Sequence, residues 1–432
     1  MKGYTTLIIA ITACCTIAQP AWGQKEYTLD ECRTAALKQN IKIRKANNET
    51  ESSKQTEKEM FTKFFPSVSA SATAFSANKN LIEMNVAPGM NLSLLKNGVS
   101  GGILATQPVF AGGQIVNGNK LAKVGTEVSK IQMQQSENEV SYTVEQYFWQ
   151  IISLKEKLKT VVSIKTMLQT LNNDAQSAVN AGVRNKNDLL QVELKQNSIE
   201  ADRLKLINAI DICKKVLAQY IGEQLDGFDI KGQTMELKEL QRPLELMRNH
   251  QTSLMLTPEY ELLRKNIEVQ NLQKKIEIGK QLPSVGIGAG YMHDYIFDKN
   301  NSYGIAFATI SVPISDWWGG SHAIKRRKIQ LKIAQDELKD NSELLILKMQ
   351  KNWNELDDAY QQILLSNKSI EQASENLRLH EDYYKAGTVN MSNLLEAQSL
   401  YQQSKNQYID AFAEYQVKKV AYLQSTGETA IK

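Results

Sequence analysis

Two stretches of this chain, 205 residues apart, share one pattern that limits the fold more than any other feature. AVNAGVRNKNDLLQVE, Ala178 to Glu193, is echoed by YYKAGTVNMSNLLEAQ, Tyr383 to Gln398, when Gly182 is set on Gly387. At that offset Asp188 meets Asn393, Leu189 and Leu190 meet Leu394 and Leu395, and Gly222-Glu223 meets Gly427-Glu428. Each copy sits between two long apolar-periodic runs. A glycine between helical runs, followed by Asn or Ser, reads as a helical hairpin. Gly182 and Gly387 take the left-handed position just past one helix, and the polar residue caps the return. The expectation is a duplicated chain, each half reversing once at the end of a very long helix.

The helix arithmetic is specific. A continuous helix over 113–180 would be about 100 Å long. Its apolar positions Val140, Val144, Tyr147, Ile151, Leu154, Leu158 and Val161 step alternately by four and three, the 3.5-residue period of a left-handed coiled coil. A further step of three leads to Ile164, after which Leu168, Leu171, Ala175 and Ala178 resume the pattern. The second long helix, 320–386, carries the same seam from Ile346 to Tyr384, with its doubled three-step expected around Ile370. The return helices, 188–221 and 392–426, are shorter. Each matches a long helix in length only if stacked end to end on a second piece, 40–64 and 258–281 respectively. The first unit then covers 24–222 and the second 258–427. The linker 223–257, the helix 27–40 and the tail 428–432 would gather as a belt halfway along.

Between helices the period changes to two. Val68, Ala70, Ala72 and Ala74 alternate with Ser67, Ser69, Ser71 and Thr73, and a return strand places Val99, Ile103, Ala105 and Val109 on one side. This first hairpin, 66–109, includes a loop from Asn78 to Asn97 with Pro88-Gly89. The second, 283–313, alternates Val285, Ile287, Ala289, Tyr291, His293 and Tyr295 with Gly286, Gly288 and Gly290, and its start LPSV echoes FPSV at Phe65 to Val68. Four strands of about ten residues suit a tilted transmembrane strand. They cannot close a barrel alone, so a membrane reading requires several chains to pool them; the competing reading is a small soluble sheet beside a helical domain. Phe61, Phe64, Phe65, Phe110, Trp317 and Trp318 cluster where strands meet helices, as core or as a belt at a membrane edge.

Residues 1–23 read as a secretory signal, with Lys2, an apolar run Leu7 to Ile17, and Ala21-Trp22-Gly23 before Gln24. A lipoprotein reading would instead use Cys14. Cleavage after Gly23 leaves Cys32 and Cys213, which could pair in an oxidising compartment or stay as ordinary helical residues. A net charge of +4 without a basic block does not call for nucleic acid. Catalysis finds no support. His250, His293, His322 and His380 show no metal spacing, and GIGAG at Gly286 to Gly290 is better explained as alternating strand glycines than as a nucleotide loop. No cofactor or metal is called for.

On the two turn motifs, the FPSV and LPSV strand starts and the duplicated strand–long helix–turn–helix order, the sequence resembles the outer-membrane efflux channel family, the TolC-like proteins. The resemblance covers nearly the whole chain beyond the signal. It implies a mainly α protein with transmembrane β: a homotrimer whose twelve-stranded barrel, in the outer-membrane lipid of a Gram-negative bacterium, continues as an α-helical coiled-coil tunnel into the periplasm. It implies an exit duct, not an enzyme, working with a periplasmic adaptor protein and an inner-membrane transporter in a tripartite efflux system for small molecules or drugs. A type I protein secretion duct and a non-channel periplasmic coiled-coil scaffold are the alternatives. The family's two constriction acids fall on Asn393 and Glu396, so only the second remains. A latching tyrosine matches Tyr384, the aspartate of the first turn matches Asp188, preceded by Asn187, and the family's arginine falls on Val389. Arg184 in the first turn is the candidate replacement donor.

Overall fold

The computed structural model describes residues 25–428 other than Asn80, Pro88, Gly89, Leu95, Asp226, Phe297 and Asp298. The segment 1–23 read as a signal, Cys14, Pro88-Gly89 and residues 429–432 of the tail lie outside the described residues. The chain opens with a short strand β1 (Lys25–Tyr27) and helices α1 (Leu29–Gln39) and α2 (Ile41–Thr62). Strands β2 (Ser67–Ser76), β3 (Ile82–Ala87), β4 (Met90–Leu94) and β5 (Asn97–Ala111) lead into the long helix α3 (Gln114–Asn180) and its return α4 (Lys186–Ile221). Strand β6 (Phe228–Ile230) and two single-turn helices, α5 (Pro243–Leu246) and α6 (His250–Ser253), fill the linker. Helix α7 (Pro258–Gly279), strands β7 (Ser284–Ile296) and β8 (Lys299–Ser311), the long helix α8 (Asp316–Lys385) and its return α9 (Met391–Ser425) complete the chain.

The sheet is antiparallel in the order β2-β5-β7-β8. The helices that continue these strands pack in the same order, α2 on α3, α3 on α7 and α7 on α8. Sheet and helices thus form one continuous wall with two free edges, β2 with α2 and β8 with α8. Lower down, α4 takes the place of α2 against α3, and α9 takes the place of α7 between α3 and α8. Asn40, which caps α2, donates from Nδ2 to the Tyr220 carbonyl at 3.0 Å, near the end of α4. That joint makes α2 and α4 one broken helix beside the unbroken α3.

Register sorts the sheet into two chemical faces. Ala70 pairs with Ile103, Ile103 with Tyr291, Ala105 with Ala289 and Ala289 with Ala306, so Val68, Ala70, Ala72, Ile103, Tyr291 and their neighbours share one face. The other face carries Ser69, Ser71, Ser100, Thr106, Gly288 and Asp294. Two aromatics lie on this second face over glycines: a Cβ on Gly98 would collide with the Phe75 ring, and one on Gly288 with the Phe307 ring. The apolar face stays open, with Ile103, Ile287 and Tyr291 all at least half exposed. Val109 is not in the alternation expected for it: the ladder slips between Pro108 and Phe110, which leaves Val109 as the extra residue of a bulge.

The helical seams lie on the packed side. Val140, Val144, Ile151, Val161, Ile164 and Leu168 are buried, as are Met349, Leu356, Ile363 and Ala373 on α8. The doubled three-step on α8 lies earlier than expected. The apolar stepping predicts a polar Asn367 in this seam, but Ser366 is the buried residue, so the short steps fall at Tyr360, Ile363 and Ser366. A serine can enter there because its hydroxyl bonds back to the Gln362 carbonyl at 2.6 Å. A capping box opens α1, with Thr28 and Glu31 satisfying each other's backbone N–H groups.

Around mid-height, β1 pairs in parallel with β6, and α1 lies against α3 and α4. Their core joins Cys32, Phe148, Ile151, Leu217, Ile230 and Phe412. Leu246 of α5 packs into a second cluster with Leu356, Ile363, Tyr415 and Tyr422. Cys32 and Cys213 are both buried free thiols, and burial, helped by Glu31, pushes the Cys32 thiol up to about 12. Three other boundaries differ from the sequence reading. The loop 78–97 contains the β3–β4 hairpin, β8 begins at Lys299 although the residue types predict a return strand only from Tyr303, and α8 begins at Asp316 rather than 320. Strand-edge hydrogen bonding, which residue type does not reveal, sets the first two. No described helix is long and apolar enough to cross a membrane.

Candidate functional site at the helical turns

Both long helices end in the same hydrogen-bonded reversal. After α3, Val183 N–H bonds the Ala178 carbonyl and Gly182 N–H the Val179 carbonyl, both at 3.0 Å. After α8, Thr388 and Gly387 bond Tyr383 and Tyr384 in the same way, again at 3.0 Å. This six-to-one and five-to-two pairing demands a left-handed residue, and Gly182 (φ 73°) and Gly387 (φ 74°) supply it. The returns begin earlier than 188 and 392. Asn185 caps α4, accepting from Asn187 N–H at 3.1 Å, and Asn390 caps α9, accepting from Asn393 N–H at 3.0 Å. An asparagine in the turn already supplies the cap, so neither helix waits for Asp188 or Ser392.

The two turns pack side by side. One buried cluster takes Leu168 and Ala175 from α3, Leu189 and Val192 from α4, Tyr384 from α8, and Leu394 from α9. Across this junction Arg184 reaches from the first turn to the second hairpin. Its guanidinium lies 4.5 Å from the centre of the Tyr384 ring, and Nη2 donates to the Tyr384 carbonyl at 2.9 Å. The side chain therefore contributes a cation–π contact and a charge-assisted hydrogen bond to one residue. Burial raises the Tyr384 phenol pKa, Arg184 opposes that rise, and Asp188 and Asp174 add to it. Asp188 thus lies close enough to act electrostatically on Tyr384. Val389, at the position matching the family's arginine, packs against the apolar cluster instead. Asn187 enters through its backbone N–H.

A cavity of about 420 Å³ opens beside this contact. Met167, Leu171 and Leu394 give it an apolar floor, while Asp174, Glu381 and Lys385 line it with charge. Asn393 and Glu396 lie elsewhere on α9: both are exposed, whereas Leu394, Leu395, Ala397 and Gln398 are buried. The pair therefore faces away from the hairpin packing. A second cross-hairpin bond was not read from the sequence. Lys195 Nζ on α4 donates to Ser399 Oγ on α9 at 2.8 Å, and burial lowers the Lys195 pKa despite Asp202. Nothing in the spacing of these two residues signals a partner; only the packing of α4 beside α9 brings them together. Among the described residues no group of His, Cys, Asp and Glu could hold a metal ion.

Residues 261–428 match the outer membrane efflux protein family. No protein of curated function matches the chain by sequence. Among solved structures, the outer membrane protein VceC of Vibrio cholerae is 13% identical, with a TM-score of 0.79 over 93% of this chain and 96% of that one. The CmeC outer membrane channel of Campylobacter jejuni is 14% identical, with a TM-score of 0.79 over 92% and 85%. The open state of the MtrE outer membrane channel of Neisseria gonorrhoeae is 13% identical, with a TM-score of 0.76 over 93% and 89%. At these identities the likeness is one of fold.

Proposed function

With its second half matching the outer membrane efflux protein family and its fold shared with outer-membrane channels, this chain is, we propose, the outer-membrane exit duct of a tripartite efflux system. Three copies close the wall: twelve strands form the barrel, and the helices continue it as a tunnel of about 100 Å into the periplasm. The apolar sheet face meets lipid, and the Ser- and Gly-rich face lines the pore. Cargo arrives from an inner-membrane transporter through a periplasmic adaptor. Small molecules are the cargo class this reading favours; an exported protein, in a type I secretion system, is the alternative.

The observation that carries the reading is the open wall. Lipid offers no hydrogen bonds to the free N–H and C=O groups of β2 and β8, so a membrane sheet of this kind must find an edge partner. Because β2 and β8 run antiparallel, the β8 edge of one copy can pair with the β2 edge of the next. Below the membrane the two edge helices also lack cover: Leu194 on α4 is 69% exposed, and Leu347 and Leu365 on α8 are 63% and 60% exposed. Exposed leucines at both edges suit a second copy. The aromatics at the strand–helix junction are exposed as well, with Trp318 at 81%, which suits a membrane-edge belt rather than a core.

At the far end the turns form the periplasmic mouth. Glu396 from each copy faces the axis with Asn393 beside it, giving a ring of three carboxylates, and Arg184 on Tyr384 holds the two hairpins of each copy together. Native mass measurement of the purified, detergent-extracted protein tests the assembly. A trimer is expected; a monodisperse monomer would falsify the shared barrel. Protein that is soluble without detergent would favour the coiled-coil scaffold.

A further inference from the structure

A cavity of about 1240 Å³ lies far from the turns, where helices α2, α3 and α7 meet the sheet. Gly118, Ala122 and Gly125 of α3 form its floor. Met60 and Phe65 at the end of the α2 segment, with Val269 and Ile276 of α7, give it apolar walls. Ser67 and Pro108 close it toward the membrane. By register both belong to the Ser- and Gly-rich face of the sheet, since Ser67 pairs with Thr106 and Pro108 with Gly286. The cavity therefore opens on the side opposite the apolar face.

Two features set it apart from a packing gap. Gly125 sits inside a helix, where glycine costs roughly 1 kcal/mol relative to alanine. Its backbone is not left-handed, and a Cβ built there meets nothing within 4 Å, so no neighbouring group requires its small size. The space above it is unused by the chain. The second feature is charge. Lys63 is the one charged side chain among the described residues that line the cavity, and it is exposed at the end of α2 with no carboxylate partner among the described residues. A ligand with an apolar body and one negative end matches this lining; a cation would find no counter-charge.

We propose that this cavity binds an anionic amphiphile, its apolar body lying along Gly118–Gly125 of α3 and its carboxylate, sulfonate or phosphate meeting Lys63. The volume exceeds the few hundred to about 1,000 Å³ typical of sites for drug-sized ligands, so a fused-ring or long-chain molecule fits. On the duct reading, on which the role but not the site rests, the cavity is a holding place for cargo on the inner wall just below the membrane. The same chemistry could come from exported cargo or from an anionic membrane lipid.

The test is titration of full-length protein in phosphatidylcholine nanodiscs with 1-anilinonaphthalene-8-sulfonate and with the uncharged N-phenyl-1-naphthylamine, subtracting protein-free discs. Both probes are expected to bind. Lys63→Glu should weaken the sulfonate by about tenfold or more, the loss of one charge-assisted contact, and leave the neutral probe unchanged. Gly125→Phe, which projects into empty space, should abolish binding of both at unchanged oligomer mass. Phosphatidylglycerol that competes with the sulfonate assigns the natural occupant to lipid; no competition assigns it to a soluble amphiphile. The proposal is overturned if Gly125→Phe leaves binding intact or if Lys63→Glu weakens both probes alike. It also fails if Gly125→Phe disrupts the oligomer, since a neighbouring copy then fills the cavity. A protein that binds probe but passes no current keeps the site and loses the duct; the converse result does the reverse.

Discussion

Arg184 holds Tyr384 by its ring and its backbone carbonyl, and neither contact uses the phenol hydroxyl. If this contact latches the proposed mouth, Tyr384→Phe should therefore leave channel opening largely unchanged. Arg184→Ala should lose both contacts, about 1–2 kcal/mol together at a partly exposed site, and raise the open probability of the channel in a bilayer recording. Arg184→Lys should resemble alanine more than wild type, because an ammonium cannot stack its plane on the ring while donating to the carbonyl. A Tyr384→Phe channel that opens as readily as Arg184→Ala would place the latch on the hydroxyl instead. Glu396 offers a second residue-scale test. In the proposed trimer, three Glu396 carboxylates about the axis would focus their field on the pore and favour cations. Glu396→Ala should abolish block by a trivalent cation and reduce cation preference, and Asn393→Asp should strengthen block. Unchanged selectivity and block in Glu396→Ala would put the constriction elsewhere.

Among the elements, the belt holds the broken helices in place through a few polar anchors. Asp229 of β6 accepts from Lys155 of α3 at 2.5 Å and lies 3.4 Å from Lys214 of α4, tying both helices to the linker. Burial alone would raise its pKa, but the bond from Lys155, the Ile230 N–H and the charges of Lys155 and Lys214 outweigh burial and lower it. An aspartate depressed on folding stabilises the fold at every pH above its unfolded value, and that contribution is lost as the pH falls through the folded value. Wild type should thus lose thermal stability below about pH 4. Asp229→Asn should melt lower at neutral pH, by about 1–3 kcal/mol, and show a flatter acid limb. A melt indistinguishable from wild type at pH 7 would contradict this account of the belt. The turn glycines were legible beforehand, because a left-handed residue after a helix leaves a chemical signature; Gly182→Ala should cost about 1–2 kcal/mol for that reason, read as a lower melting temperature. The long helices were legible through their seams. The β3–β4 hairpin, the bulge at Val109 and the Lys195–Ser399 bond were not, because each depends on which backbone or helix comes alongside. The replacement of Asn367 by Ser366 in the seam has the same origin: apolar stepping cannot show that a serine will satisfy itself against its own helix.

For the molecule as a whole, the single chain is an unfinished wall, with lipid-suited residues on one face of its sheet and leucines uncovered along both helical edges. A charge placed on such an edge should block assembly while sparing the protomer. Leu365→Glu is expected to yield a helical but monomeric or aggregating protein, by circular dichroism and native mass, whereas a stable trimer would show that this edge is not an interface. The central claim is that three of these walls close into a conducting duct. Single-channel recording of the purified protein in a planar bilayer tests it most directly. The account predicts discrete conductance steps that favour cations and are blocked from one side by a trivalent cation; a well-folded trimer that inserts into the bilayer and passes no current would contradict it.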